Sequence, residues 1–416
     1  MSKWKSVCIA AAFLGIALLA GCAATEPARA PVAGGGGHTL RIRGDGQVWA
    51  WGLNWRGELG DGTGKDSNVP VQSAAPSGIV ALSSIGAHVT AVRGDGRLFA
   101  WGYNSHGQVG NGETGRREAR PVPVRGPGGN GVLNGVRAAA AGGYHSLAVC
   151  RDGAVRAWGC NMDGRLGDGT TTDRHAPVRV EGLDGVLAVA AGLKHSVALK
   201  EDGTVWCWGD NLYGQLGDGA NEARRTPVRV PGLADVKAIA AGWHHTMALR
   251  KDGTVWAWGC NHFGQLGDGA ADRNRPVQVR ELDGVRKIAA GGLHSLALGA
   301  DGTLRAWGWN YRGQLGDGTQ ISRSTPVEVK APDGDGPLQN IVAIDGGGAH
   351  SAALLEDGAV LVWGDNGRGQ IGDGTRSAWM KDGAYVEKGD RSTREMYQSG
   401  ARPTAARPLP MRPKLP

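Results

Sequence analysis

The sequence lacks the short motifs that mark common enzyme classes. It contains no Gly-x-Ser-x-Gly nucleophile turn, no His-Glu-x-x-His zinc helix and no phosphate loop ending in Gly-Lys-Ser/Thr. It also has no Cys-x-x-Cys pair, which argues against a zinc site of that type. These absences favour a protein that is not an enzyme, and we predict no metal and no cofactor.

Cysteine and phenylalanine are scarce, with six and three residues, whereas tryptophan is abundant with fifteen. Four of the cysteines lie beyond residue 30: Cys150, Cys160, Cys207 and Cys260. Two of them, Cys160 and Cys260, occupy one slot of a repeat two units apart, so their Cα atoms should exceed the distance of about 7 Å that a disulfide tolerates. We therefore expect no disulfide framework.

Charge of one sign is not concentrated anywhere in the chain. The formal net charge is +7, and the basic residues are scattered rather than clustered in a stripe. Nucleic-acid binding needs such a stripe, so the sequence predicts no nucleic-acid partner.

A single long apolar run stands at the start of the chain. Lys3 and Lys5 precede an apolar stretch over residues 7–20, which is short for a membrane span and typical of an export signal. It ends in Leu19-Ala20-Gly21-Cys22, which resembles the lipobox of bacterial lipoproteins and implies cleavage before Cys22 and acylation of that residue. We therefore expect a signal peptide over residues 1–21 and an acylated cysteine with a flexible tether over residues 22–31.

The same segment predicts location. The protein is expected to be exported and lipid-anchored to the cell membrane or outer membrane. The outer membrane is favoured because Ala23 and Ala24 differ from the aspartate that resembles an inner-membrane retention signal. Contact with the membrane is expected through the lipid anchor only.

What the chain has in quantity is a repeat of about fifty residues. The dipeptide Trp-Gly begins at Trp51, Trp101, Trp158, Trp208, Trp258, Trp307 and Trp363. A histidine stands thirteen positions before each: His38, His88, His145, His195, His245, His294 and His350. An asparagine stands three positions after each: Asn54, Asn104, Asn161, Asn211, Asn261, Asn310 and Asn366.

Each repeat alternates apolar and small residues on both sides of an Asp-Gly pair, which is typical of a β-hairpin. In the fifth copy, Asp252-Gly253 predicts a two-residue turn that pairs Lys251 with Thr254 and places Leu249 opposite Trp256. Two further short strands per copy give about four strands per unit. Seven such units predict an all-β fold, a seven-bladed β-propeller of four-stranded blades that is closed by joining N- and C-terminal strands.

The phrases WGxNxxGQLGDGT, PVxV and AAGxxHSLAL together resemble the repeat of the regulator of chromosome condensation family. The resemblance extends over residues 32–411, leaving a tail at 412–416, and it implies a seven-bladed propeller used for protein recognition. The chain is also similar to secreted propellers that inhibit β-lactamases and, distantly, to alpha-tubulin suppressor-like proteins. One segment, Gly242 to Thr246, resembles the Gly-Trp-Arg-His-Thr repeat of a plant ultraviolet-B photoreceptor, but a single altered copy disfavours light sensing.

Residues that recur in every copy are interpreted as scaffold. The glycines suit backbone with positive φ, the asparagines and aspartates suit turn caps, and the histidines suit a hydrogen bond at a strand start beside Ser or Thr. A ring of histidines that binds a metal or anion is the disfavoured alternative.

Function is expected where the copies differ, at the second, fourth and fifth positions after each Trp-Gly tryptophan. Trp, Tyr and Arg, which favour interfaces, are frequent there. The candidate partner-binding residues are Leu53, Trp55, Arg56, Tyr103, His106, Leu212, Tyr213, His262, Phe263, Trp309, Tyr311, Arg312 and Arg368. The alternative is that these residues lie at the tips of loops that tolerate substitution and bind nothing.

The sequence thus predicts a membrane-tethered, non-catalytic, monomeric propeller at the bacterial cell envelope that binds an unknown protein partner. Two alternatives stay open: an inhibitor of an envelope or extracellular enzyme such as a β-lactamase, and a hydrolytic or small-ligand-binding propeller. A long polar excursion over residues 376–406 in the last repeat is interpreted as either a binding loop or an irregular bulge.

Overall fold

Each repeat forms one antiparallel sheet of four strands, and seven such sheets form a closed ring. The computed structural model describes residues 31–376 and 407–414. Within them every sheet has its strands in chain order, from the innermost to the outermost. The predicted seven-bladed β-propeller is therefore confirmed, and the blades are numbered one to seven along the chain.

The innermost strands are β1 (Val32–Gly34), β5 (Ile79–Ser83), β9 (Val136–Ala141), β13 (Val186–Ala191), β17 (Val236–Ala241), β21 (Val285–Ala290) and β25 (Ile341–Gly346). The second strands are β2 (His38–Ile42), β6 (His88–Arg93), β10 (His145–Cys150), β14 (His195–Lys200), β18 (His245–Arg250), β22 (His294–Gly299) and β26 (His350–Leu355). The third strands are β3 (Val48–Gly52), β7 (Leu98–Asn104), β11 (Val155–Gly159), β15 (Val205–Gly209), β19 (Val255–Gly259), β23 (Leu304–Gly308) and β27 (Val360–Gly364). The outer strands are β4 (Ser67–Gln72), β8 (Gly115–Pro123), β12 (Arg174–Arg179), β16 (Arg224–Arg229), β20 (Arg273–Gln278), β24 (Arg323–Glu328) and β28 (Arg407–Met411).

The hairpin between the second and third strands differs from the predicted one by a single residue. In blade five the N–H of Arg250, rather than Lys251, donates to the Thr254 carbonyl at 2.9 Å, which leaves a three-residue loop. Gly253 closes that loop at φ 87°, and Asp252 Oδ1 accepts the Thr254 N–H at 2.9 Å. A slip of one residue exchanges the two faces of a strand, so the predicted facing of large side chains is wrong.

In the observed register Met247 lies opposite Ala257 and Leu249 opposite Val255, on the other side of the sheet from Trp258. The hydrophobic cores therefore lie between blades. Trp258 of blade five is fully buried against residues of blade four, among them Leu199.

The ring closes where blade one meets blade seven. The N-terminal strand is the innermost strand of blade one, and the C-terminal strand is the outer strand of blade seven. Gly348 N–H donates to the Gly35 carbonyl at 3.0 Å, and Trp51 Nε1–H donates to the Gln370 carbonyl at 2.9 Å. The first and last strands, β1 and β28, are thus both part of the ring, and each completes its own blade.

Several expectations fall outside the described residues. These are the signal peptide over 1–21, Cys22 with the tether up to residue 30, and residues 377–406 of the excursion. In the described part of the chain, no helix is long and apolar enough to cross a membrane. The four cysteines Cys150, Cys160, Cys207 and Cys260 are all buried and unbridged, as expected.

Candidate functional site

The seven repeated histidines form a buried belt that links each blade to the next. In every blade the imidazole is completely buried, and its Nε2 lies 2.8–3.2 Å from a Ser or Thr hydroxyl of the following blade. The pairs are His38 with Ser84, His88 with Ser146, His145 with Ser196, His195 with Thr246, His245 with Ser295, His294 with Ser351, and His350 with Thr39. We call these seven pairs the histidine belt.

The hydroxyl that pairs with each histidine comes from the next blade. Six of the seven hydroxyls donate to a backbone carbonyl of the preceding blade, as Thr246 does to the Gln215 carbonyl at 2.9 Å. That hydroxyl proton is therefore occupied, so His195 Nε2–H must be the donor to Thr246. The same Gln215 carbonyl accepts the Trp258 Nε1–H at 3.0 Å, which fixes the indole between blades.

Burial keeps the belt neutral. Desolvation lowers the pKa of His245 from 6.5 to about 3, and the other belt histidines shift in the same direction. Nδ1 of each has no hydrogen-bond partner among the described residues, so a second proton would have no acceptor. The belt therefore serves as a neutral, hydrogen-bonded link between blades.

The repeated Gln-Leu-Gly-Asp-Gly phrase is also scaffold. In blade four, Asn211 Oδ1 accepts the Leu216 N–H at 2.9 Å while its Nδ2 donates to Asp218 Oδ1 at 3.1 Å, which holds the turn together. Gly217 has φ 70°, and a Cβ there would lie 2.7 Å from Trp258 Nε1. Only glycine fits this close approach of two blades.

The variable residues lie in a circle where these turns meet the next blade. We call the second, fourth and fifth residues after each Trp-Gly tryptophan the face circle. Its fifth-position residue reaches across to the following blade: the Arg56 guanidinium lies 4.2 Å from the Tyr103 ring, and His106 Nδ1 lies 2.9 Å from Asp173 Oδ2. In the same way Tyr213 contacts the His262 ring at 5.4 Å.

Blades five and six hold the most aromatic part of the circle. Phe263 lies 6.1 Å from the ring of Trp309 and also 6.1 Å from the ring of Tyr311, and those two rings are 6.1 Å apart. Three aromatic rings thus meet at one blade junction, in the tilted and edge-on arrangements that aromatic pairs favour.

Arginines continue the circle from blade six through blade seven to blade one, where they face carboxylates. Arg312 Nε lies 4.0 Å from Asp365, and Arg368 Nη1 lies 3.7 Å from Asp66 of blade one. The basic side chains are therefore paired between blades, so the face is less basic than its composition suggests.

In most blades the residue at the fourth position is more exposed to solvent than the residue at the fifth position. At the fourth position Leu212, Met162 and Tyr311 expose 66%, 65% and 53% of their surface. Fifth-position residues such as Tyr213 and Phe263 are half-buried between blades. Trp55, Leu53, Tyr103 and Trp309 are also half-buried, whereas His262 is exposed.

Sequence reasoning missed the residues that come just before each histidine. Tyr144 lies 6.0 Å from the Tyr103 ring, and His244 lies 5.3 Å from the Tyr213 ring. The Trp243 indole lies against the backbone of blade six, because a Cβ on Gly292 would lie 2.8 Å from it. The signal was available in the sequence, since Trp243 stands where five other copies have glycine.

Two groups of possible metal ligands also lie on this circle. One comprises His106, Cys160 and Asp173, and the other comprises Cys260, His262 and Asp272. In each group the ligand atoms lie within 4.8 Å of one another. Neither group was predicted from the sequence, because each contains a single cysteine and no Cys-x-x-Cys pair marks it.

The axis of the ring encloses a channel of about 400 Å³ lined by the innermost strands. Its wall is mostly alanine, valine and isoleucine, with Asp345 on one side. Desolvation raises the pKa of Asp345 to about 7, and its Oδ2 accepts the Gly34 N–H at 2.8 Å. This carboxyl thereby joins blade seven to blade one.

These features define a repeat propeller with a constant interior and a variable face. The chain belongs to the RCC1-like domain family, whose model matches residues 18–335 and 131–406. The predicted family is thus confirmed.

Among characterised proteins, the chain is 33% identical to the ultraviolet-B receptor UVR8 of Arabidopsis thaliana over 159 residues, which is 37% of this chain and 34% of that protein. It is 34% identical to the human E3 ubiquitin-protein ligase HERC2 over 149 residues, 35% of this chain. The match spans about a third of UVR8 and 3% of HERC2.

Solved structures show the same fold. Human WBSCR16 is 23% identical with a TM-score of 0.73, covering 89% of this chain and 95% of that one. Prp20p of Saccharomyces cerevisiae is 23% identical with a TM-score of 0.70, covering 90% and 88% of the two chains. The chain has an RCC1-like propeller fold, which typically serves protein interaction.

Proposed function

We propose that this propeller is a non-catalytic protein-recognition module, tethered to the cell envelope through a lipid on Cys22, and that the face circle binds its partner. One observation carries the proposal. The framework is repeated seven times, whereas the face circle varies among the blades. The circle exposes the large side chains of Met162, Leu212 and Tyr311, while the Trp-Gly tryptophans of the framework are fully buried.

The exposed residues fit protein recognition physically. Contact between large apolar side chains and water is unfavourable, and a contiguous group of such side chains on a protein surface is typical of an interaction site. Methionine and tyrosine are enriched at interfaces, where they supply contact area at the centre of the buried patch. The half-buried rings of Phe263 and Trp309 would hold Tyr311 in place before a partner arrives.

Selective loss of capture tests the role of the circle. The full-length protein, in detergent, is immobilised and exposed to envelope extract beside the double variant Leu212→Ser/Tyr311→Ser. Leu187→Ser is the matched control, because Leu187 is 45% exposed but lies at the start of β13, the end of the strand away from the circle. A partner captured by the parent and the control but not by the double variant supports the proposal, whereas equal capture by all three contradicts it.

Inhibition of an envelope or extracellular enzyme, such as a β-lactamase, is a special case of the same function. The captured partner would then be an enzyme whose activity falls in proportion to bound propeller. Assaying that activity with parent, double variant and Leu187→Ser distinguishes inhibition from simple binding.

The tether is tested at Cys22. The variant Cys22→Ser cannot be acylated there, so we expect loss of incorporated labelled fatty acid and a shift from the membrane to the soluble fraction. Retention of label and of membrane association by the variant would contradict the lipid anchor and would leave the face circle proposal untouched.

A further inference from the structure

The two Cys/His/Asp groups share one arrangement. In each, an aspartate is fixed by a backbone N–H: Asn161 N–H donates to Asp173 Oδ1 at 2.7 Å, and Asn261 N–H donates to Asp272 Oδ1 at 2.6 Å. The second carboxylate oxygen is left to face the imidazole, 2.9 Å from His106 Nδ1 in the first group. In the second group, Asp272 Oδ2 lies 3.4 Å from His262 Nε2.

The two histidines reach these places by different routes. His106 is a fifth-position residue of blade two that crosses to blade three, whereas His262 is a fourth-position residue of blade five itself. The repeat alone would not place a histidine beside the cysteine and aspartate in both groups. Blade one supplies the contrast, since it has the capping Asp66 but Leu53 in the cysteine slot and an arginine ion pair in place of histidine.

The second position after the Trp-Gly tryptophan holds a carboxylate in two blades. In blade four the Gln215 amide Nε2 donates to Asp210 Oδ2 at 2.8 Å, and blade seven repeats this from Gln370 to Asp365 at 2.7 Å. In blade five the buried Cys260 occupies the same position. Its sulfur therefore lies where the fold accommodates a ligand-type side chain beside the turn, next to the imidazole and carboxylate of its group.

We propose that these two groups are binding sites for a divalent transition-metal ion of the zinc class, one at Cys160/His106/Asp173 and one at Cys260/His262/Asp272. Thiolate, imidazole and carboxylate together are a ligand set suited to Zn²⁺ and Co²⁺ and poorly suited to Mg²⁺ or Ca²⁺. Three protein ligands leave one coordination position for water or for a side chain of another molecule. The inference is independent of whether the face circle binds a protein.

Cobalt titration tests the sites directly. Reduced, metal-free full-length protein is titrated with Co²⁺, and the thiolate-to-cobalt charge-transfer absorption is followed. We expect two such sites per chain, one for each group. Cys160→Ser and Cys260→Ser should each lose one site, the double variant should lose both, and His262→Asn should weaken the blade-five site by more than about tenfold.

Matched controls exclude general thiol binding. Cys150 and Cys207 are buried but belong to neither group, so Cys150→Ala and Cys207→Ala should retain both sites. Cys8 and Cys22 are not changed in any variant, so cleavage and acylation at the amino terminus affect all variants equally. Zn²⁺ should raise the melting temperature of the parent and not that of the double serine variant, because a ligand stabilises only the state it binds.

The proposal is overturned if the charge-transfer absorption is absent, or if it is the same in the parent and in the double serine variant. It is equally overturned if Zn²⁺ raises the melting temperature of both by the same amount.

Discussion

The histidine belt and the face circle are made by the same repeat and lie a few residues apart, yet they follow opposite rules. Each belt position is filled by the same chemistry in all seven blades, and every imidazole is fully buried. Each circle position varies among the blades, and its residues range from the buried Cys160 and Cys260 to the two-thirds exposed Leu212. The difference indicates that the repeat fixes the ring through its interior and leaves the face free to specialise.

The largest effect is expected from low pH, which should destabilise the histidine belt and leave the face circle unaffected. Burial lowers the pKa of six belt histidines from 6.5 to about 3 or 4, and it lowers the pKa of His145 in the same direction. The unfolded chain therefore takes up protons first, and the stability that these groups contribute is complete above about pH 6.5 and falls as the pH drops toward 3. Because all seven groups act in the same direction, we expect the free energy of unfolding to fall steeply as the pH drops below 6.5.

Denaturant unfolding measured from pH 8 to pH 4 checks this expectation. Stability that stays constant down to pH 4 would contradict a neutral buried belt.

Substitution of one tryptophan in the scaffold and one in the face circle compares how much single residues of each contribute to stability. Trp258→Ala removes a fully buried indole and its hydrogen bond to the Gln215 carbonyl, so we expect a loss of about 3–5 kcal/mol in the free energy of unfolding. Trp55→Ala, on the face circle, should cost about 1 kcal/mol or less because that ring is half-exposed. Similar losses of unfolding free energy for both variants, measured by denaturant titration, would contradict the distinction between a scaffold interior and a variable face.

Much of the ring could be predicted from sequence because its period is carried by residues that recur at fixed spacing. The hairpin register could not, because Asp252-Gly253 fits both a two-residue loop and the observed three-residue loop, and only packing between blades chooses between them. The partner of each belt histidine could not be predicted for a similar reason. It depends on packing between blades, because the Thr246 hydroxyl that pairs with His195 belongs to the next blade.

The face circle was predictable as a set of variable positions but not as a surface. Spacing alone cannot show that Tyr213 and Phe263 turn inward between blades while Leu212 and Tyr311 point to solvent. Trp243 was missed as a circle neighbour because it lies outside the Trp-Gly turn, although its position two residues before the histidine is glycine in five other copies.

Blade two offers a natural exception that sharpens the comparison. Val89 stands there where the other blades have Ser or Thr, and Ser84 supplies the hydroxyl to His38 at 3.2 Å. Ser84→Ala should leave the imidazole unpaired and cost about 1–3 kcal/mol.

Adding Val89→Ser to that variant restores the pattern of the other blades and should recover most of the loss. Failure of the double variant to recover stability, measured by denaturant titration, would contradict the interpretation of the belt as a hydrogen-bonded link.

The smallest effect on stability is expected on the circle. Leu212→Ser/Tyr311→Ser changes side chains that are more than half exposed, so the free energy of unfolding should change by about 1 kcal/mol or less. A loss above about 2 kcal/mol would mean that these residues serve the fold and not recognition.

The most direct measurement compares both regions in one experiment: partner capture and unfolding free energy are determined together for Ser84→Ala and for Leu212→Ser/Tyr311→Ser. The account predicts that the belt variant is less stable but captures the partner at the parental level, while the circle variant is as stable as the parent and captures none. Undiminished capture by the circle variant, or loss of capture by the folded belt variant, would contradict the division of roles between the two regions.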